Sequence, residues 1–265
     1  MKKNSLFVIL VIALALLVSI LFYIFVMGSP SNFLDAAKEH PKMDSRFGKM
    51  YLGGVLVPVL MALVLMIFTF TIERFLSLKK ARGTKDLDVF LKDADKHLAD
   101  GNIDAVLDLC NQQKGSVANI VRGGVERFKD VRNNPEMNTT QKVAEVKRAL
   151  EEVAMLETPL LERNLVILST IASISTMIGL VGTVIGMIGA FNSLGEGGGG
   201  SSATKLSIAI SEALYNTALG IGGGILAIIA YNVLTNKVDR FIYLIDEATL
   251  NLVESIENRF LGKSA

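Results

Sequence analysis

Four long apolar stretches set the terms on which this chain can fold. They run roughly from Leu6 to Met27, Leu52 to Ile72, Leu165 to Leu194 and Leu206 to Leu234. A helix needs about 20 apolar residues to cross about 30 Å of hydrocarbon. Each stretch is that long. A backbone in lipid has no water to bond, so all four are predicted to be helices. Gly53, Gly54 and Pro58 interrupt the second stretch. If its helix starts after Gly54, Pro58 falls in the first turn, where a missing N–H matters least.

Composition agrees. Of 265 residues, 51% are hydrophobic before 23 glycines are counted. An ordinary soluble domain reaches about 45–50% only with glycine included. The predicted fold is an all-α membrane protein whose long transmembrane helices extend into a cytoplasmic helical bundle.

The first stretch follows Lys2 and Lys3, as a secretory signal would. A signal's apolar core has about 7–15 residues and ends at a small-residue cleavage site. This stretch is longer, and Val26-Met27-Gly28 is a poor site, so a retained span is expected.

Positive charge orients the chain. Of its 27 Lys and Arg residues, 16 lie between Arg74 and Arg163, and four follow Leu234. The segment from Gly195 to Lys205 holds one. Gly28 to Met50 holds four, offset by Asp35, Glu39 and Asp44. Both termini and the middle segment are therefore expected in the cytoplasm. The expected division is 1–5 cytoplasmic, 6–27 an extra N-terminal span, 28–50 periplasmic, 51–72 a span, 73–163 cytoplasmic helices, 164–194 a span, 195–205 a periplasmic glycine-rich loop, 206–234 a span and 235–265 a cytoplasmic helix.

A net charge of +1 argues against a nucleic-acid binder. Cys110 stands alone, which excludes an internal disulfide framework; it reads as a helix residue in a reducing compartment. No metal-ligand spacing, Ser-His-Asp set or Cys-His pair is present, and His40 and His97 fall in different compartments. No catalytic residue, cofactor or metal is expected. The run Gly195 to Ser202 lacks the Gly-Lys-Ser/Thr ending of a phosphate-binding loop and reads as a flexible linker.

In the middle segment, Leu87, Phe90, Leu91, Ala94 and Leu98 repeat at helical spacing. Gly101-Asn102, Gly115-Ser116 and Asn133-Asn134-Pro135 break the chain into further helices. A last helix should start near Thr139 or Thr140, with Val143, Val146, Leu150, Val153, Leu156, Leu160 and Leu161 on its apolar face. With no glycine before the third stretch, it is expected to run through Leu194, kinked at Pro159. About 55 residues at 1.5 Å each would span roughly 80 Å.

The third and fourth stretches carry the chemistry. Gly179, Gly182, Gly186 and Gly189 lie on one helix face, where small residues let another backbone approach. Beside them run Ser169, Ser173, Thr176 and Thr183. These hydroxyls either bond back to their own helix or form a polar surface toward water or a partner. Glu212 is an ionisable residue inside a span, which implies a protein interior or cavity, unless it sits among the external headgroups. Asn216, four residues on, could hydrogen-bond it. Thr217, Gly220 and Gly224 form a seam. Thr183 and Thr217 could line a conduit, but a hydroxyl releases no proton near neutral pH. If Glu212 is structural, the titrating group must come from another chain.

These residues resemble the ExbB/TolQ branch of the MotA/TolQ/ExbB proton channel family, with ExbB nearest. The resemblance rests on Gly179-Leu180-Val181-Gly182-Thr183-Val184-Ile185-Gly186-Met187 with Phe191, on Ile210 to Ile221 with Tyr231-Asn232, and on Ile72-Glu73-Arg74-Phe75. It implies a homopentamer enclosing a single-span partner like ExbD or TolR, which supplies a membrane Asp. It also implies an inner-membrane complex that does work on a TonB- or TolA-like protein, which acts across the periplasm at the outer membrane. Thr183 and Thr217 match the family's pore-facing threonines, and Glu212 its glutamate at the external end of the last span. The implied function is the channel subunit of a proton-driven motor energising outer-membrane transport, or a TolQ-like subunit for envelope maintenance. The extra first span departs from the family's three. Two other classes compete: a self-contained secondary transporter, for which no repeated halves are found, and a scaffold whose glycines only assemble helices.

Overall fold

The computed structural model describes residues 2–35, 38, 41–42, 44–195 and 200–260. Glu39, His40 and the centre of the glycine-rich linker, Glu196 to Gly199, lie outside the described residues. The chain is 87% helical, with no strand among the described residues. Helix α1 (Lys2–Phe22) widens into a π-helical turn (Tyr23–Met27), and a 3-10 turn (Pro30–Asn32) follows. Then come α2 (Arg46–Tyr51), α3 (Leu56–Arg82), α4 (Leu87–Ala99), α5 (Ile103–Gln113), α6 (Ser116–Arg132), α7 (Thr139–Glu162), α8 (Leu165–Gly195) and α9 (Gly200–Phe260). Four apolar helices carrying the four stretches are long enough to cross a membrane. The protein is an all-α membrane protein.

Two compact units divide the chain. One comprises Met1–Ile72 and Val166–Asn232; the other comprises Glu73–Leu165 and Val233–Ala265.

The second unit is built as its periodicity requires. Leu87, Phe90, Ala94 and Leu98 of α4 are buried, with Leu91 at the edge. Asn102 caps α5 by accepting from the Ala105 N–H at 3.1 Å. Asn138 and Gln141 form a reciprocal capping box, which starts α7 where the sequence places it. Phe128 on α6, and Val146 and Leu150 on α7, are wholly or almost wholly buried, each such side chain stabilising by about 1.5–3 kcal/mol. A Cβ on Gly124 of α6 would lie 2.7 Å from Leu150 Cγ, so glycine lets these two helices close. Gln113 is buried and fully used. Its Oε1 accepts from the Lys85 N–H at 3.0 Å, and its Nε2 donates to the carbonyls of Lys85 (2.9 Å) and Arg82 (3.2 Å). Cys110 is buried on α5. Burial pushes its thiol up to about 12, so it stays neutral and unreactive.

The continuous helix expected from Thr139 to Leu194 does not form. Pro159 is accommodated inside α7, and the break comes at Arg163, with extended backbone, and Asn164, at φ +63°. The cause lies far away in sequence. Arg74, only 3% exposed, donates through one terminal nitrogen to the carbonyls of Leu160 (3.3 Å), Leu161 (3.5 Å) and Arg163 (2.6 Å). It thus satisfies carbonyls left open at the end of α7. Its other nitrogens fork onto Glu73, at 2.9 and 2.8 Å. Glu73 also accepts from Ser77 (3.0 Å) and from the Asn164 side-chain amide (3.2 Å). A fork with five donors can do this; an ammonium cannot. Replacing Arg74 by Ala is expected to cost about 3–5 kcal/mol, because Glu73 and the helix end lose their partner. The chemical-unfolding midpoint of the full chain measures this, and an unchanged midpoint contradicts it.

In the first unit, the π-helical turn is closed by Asn32, whose amide donates to the carbonyls of Val26 (2.7 Å) and Met27 (3.1 Å). Tyr23 stacks on Tyr51 with centroids 4.6 Å apart, and Phe33 meets Tyr51 edge-on at 5.4 Å. The Tyr23 hydroxyl donates to the Tyr51 carbonyl at 3.2 Å. The extra N-terminal helix is thereby anchored to the turn that leads into α3.

Candidate functional site

The seam between α8 and α9 is set by glycines. A Cβ on Gly220 would lie 2.6 Å from Gly179 Cα, and one on Gly179 would lie 3.0 Å from Gly220 Cα. Backbone therefore meets backbone. At that closeness, side-chain hydroxyls reach the opposite main chain. Thr217 Oγ1 donates to the Gly179 carbonyl at 3.1 Å, and Ser175 Oγ donates to the Gly220 carbonyl at 3.0 Å. The two bonds are reciprocal. Each helix gives one hydroxyl and offers one glycine carbonyl.

The seam continues toward the start of α9. Asn216, 1% exposed, occupies the notch at Gly182, where a Cβ would overlap its own. A Cβ on Gly186 would lie 2.7 Å from Ala213 Cβ. Gly189 is looser: its nearest neighbour across the seam, Ala209 Cβ, would be at an ordinary 3.8 Å. In the other direction, a Cβ on Gly224 would lie 2.5 Å from Thr176 Oγ1.

Glu212 lies over the turn before α3. Its carboxylate fills the space where a Cβ on Gly54 would stand, and Gly54 takes φ +70°, a backbone that glycine adopts without strain. The hydrogen bond that spacing allowed between Glu212 and Asn216 is not formed among the described residues. Separately, Asn216 Oδ1, an acceptor that a carboxylate could not serve, is buried without a partner, which is costly unless something supplies a donor.

The hydroxyl stripe on α8 bonds locally. Ser169 donates to the Val166 carbonyl (2.9 Å), Ser173 to Ser169 (3.4 Å), Thr176 to Ala172 (3.2 Å) and Thr183 to Leu180 (2.6 Å). Ser173 is exposed, and Thr176 and Thr183 are half-buried. Thr183 and Thr217 therefore play different parts within one chain: Thr217 ties the two helices together, while Thr183 bonds back to its own helix.

Ser175 is a seam residue that sequence reasoning passed over. Its signal was present, because 175, 179, 182 and 186 are spaced four, three and four along one face. Gly54 and the Tyr23–Tyr51 stack carried no comparable signal, since they meet the site only through the fold.

A multi-span helical protein with a glycine-tight seam, two hydroxyls bridging it and a carboxylate at its end is the class that the fold and site define. Residues 112–247 match the MotA/TolQ/ExbB proton channel family, and the chain belongs to that family. Over 118 residues it is 33% identical to the Tol-Pal system protein TolQ of Pseudomonas aeruginosa, a match covering 44% of this chain and 50% of that one. The chain thus spans about half the length of this relative.

The seam predicts an ordered series of glycine substitutions. Gly220→Ala and Gly179→Ala, which drive a methyl into backbone, should lower the thermal unfolding temperature of the solubilised protein by several degrees. Gly222→Ala, with nothing within 4 Å, should leave it unchanged. Equal tolerance at Gly220 and Gly222 would contradict the seam.

Proposed function

We propose that this chain is the channel-forming subunit of a proton-driven motor in the bacterial inner membrane. Both termini and the second unit lie in the cytoplasm, as the Lys and Arg distribution directs. The observation that carries this reading is the polar content of the seam. Thr217, Asn216 and Glu212 gather along α9 within a mostly apolar span, and polar groups in a membrane interior mark ion pathways.

In this reading Ser173, Thr176, Thr183 and Thr217 order water along the pathway, and Glu212 stands at its external end. Gly179, Gly182, Gly186, Gly189, Gly220 and Gly224 are the packing positions. The hydroxyls release no proton near neutral pH, and the span offers no carboxylate deeper than Glu212. The main titrating group then comes from a guest helix, the membrane Asp of an ExbD- or TolR-like partner held inside a homopentamer. A TonB- or TolA-like protein would receive the work. The paired motifs favour energised outer-membrane transport, whereas the likeness to TolQ favours envelope maintenance. The partner that co-purifies separates the two.

Thr217 provides the test. Thr217→Val removes a hydrogen bond between helices, worth about 0.6–1.7 kcal/mol in membranes, too little to prevent assembly. It is expected to co-purify with its partners but lose proton-dependent activity, and Thr217→Ser is expected to retain it. Wild-type activity in Thr217→Val would remove the hydroxyl from the mechanism.

A further inference from the structure

The second unit contains a cavity of about 380 Å³ with an unusual lining. Its apolar surface comes from Phe75, Leu78, Leu87, Phe241 and Leu244, of which Leu87 and Phe241 are buried and Phe75 is half exposed. Four cations stand around it: Lys79, Arg82, Lys237 and Arg240. No carboxylate lines it among the described residues. Arg82 is the one partly answered, through an exposed pair with Asp86 at 3.0 Å. Lys79, Lys237 and Arg240 make no ion pair among the described residues. Lys237 is held over the ring of Phe75, its nitrogen 4.4 Å from the centroid, so its charge is positioned before any ligand arrives.

Depth narrows the occupant further. Phe75 follows the apolar stretch ending at Ile72 by three residues, and Lys237 follows Leu234 by three. At 1.5 Å per residue, both lie about 5 Å beyond the hydrocarbon, within the headgroup layer. Lys79 and Arg82 lie about 10–15 Å beyond it by the same measure. Arg240 and Phe241, six and seven residues past Leu234, lie about 9–10 Å beyond it, so the Phe75 ring and the Lys237 charge are the parts of the lining nearest the acyl chains.

We propose that this cavity binds an acidic phospholipid of the facing leaflet. Its phosphate and anionic headgroup would meet Lys79, Lys237 and Arg240, while the glycerol and first acyl carbons would lie on Phe75. A free anion would use the cations but leave the aromatic floor in water. A neutral lipid would use the floor and leave the cations unanswered. An acidic phospholipid answers both. Such a lipid would join the base of α3 to the part of α9 beyond Leu234. The inference needs the chain to be in a membrane; it does not need the channel reading.

The test uses the purified full chain in vesicles of phosphatidylcholine, alone or mixed with phosphatidylglycerol. Native mass spectrometry after detergent extraction then counts retained lipid. The expected result is phosphatidylglycerol retained in preference to phosphatidylcholine, with retention about tenfold weaker in the double variant Lys237→Gln with Arg240→Gln. Lys92→Gln with Lys96→Gln, which removes two cations elsewhere in the same unit, should retain the lipid fully. All four side chains are exposed, so folding is spared. A variant-free arm compares wild-type thermal stability in the two vesicle types and expects a higher unfolding temperature with phosphatidylglycerol. Equal retention by wild type and the Lys237/Arg240 variant would overturn the proposal. So would displacement of the lipid by millimolar inorganic phosphate or by an acidic peptide.

Discussion

The first unit depends on one close approach, between the backbones of α8 and α9 at Gly179 and Gly220. Lipid tails are as apolar as leucine, so burying apolar surface gives membrane helices little reason to associate. Contact and hydrogen bonding must provide it. Glycine supplies the contact by removing the atoms that would hold the helices apart. That closeness in turn makes the reciprocal bonds from Ser175 and Thr217 possible. Once the register is set, Asn216 enters the notch at Gly182 and Ala213 faces Gly186. Glu212 then comes to rest over Gly54. The polar groups of α9 are placed by the glycines of α8.

The second unit solves a different problem, how to end a long helix within the chain. Its solution is a single buried guanidinium. Arg74 closes the end of α7 and is itself neutralised by Glu73, which Ser77 and Asn164 hold in place. A buried charge is tolerable when it is paired and its donors are all used. The arrangement fixes where α7 stops.

The sequence showed the spans because hydrophobic length is a local property and the bilayer thickness is fixed. It showed the glycine face for the same reason, since Gly179, Gly182 and Gly186 follow helical spacing. It showed the start of α7 near Thr139, where an apolar face begins after the Asn133-Asn134-Pro135 turn. The break at Arg163 and Asn164 was hidden. Pro159 is the obvious local suspect, yet the deciding contact comes from Arg74, nearly ninety residues away. The local trace was Asn164, a residue that tolerates the left-handed region, directly before an apolar run. Glu212 and Asn216 share a face as expected, but the carboxylate rests over the turn at Gly54, and the expected bond from the Asn216 amide is not formed among the described residues. Spacing on one helix cannot disclose what a neighbouring loop will offer.

The closeness of α8 and α9 can be measured directly in membranes. The approach places a Cβ at position 189 about 3.8 Å from Ala209 Cβ, the separation found in disulfides. In a chain carrying Gly189→Cys and Ala209→Cys, mild oxidation should form a disulfide within one chain, while each single variant forms none. Failure to cross-link, or cross-linking only between chains, would mean that α8 and α9 do not meet along the glycine face.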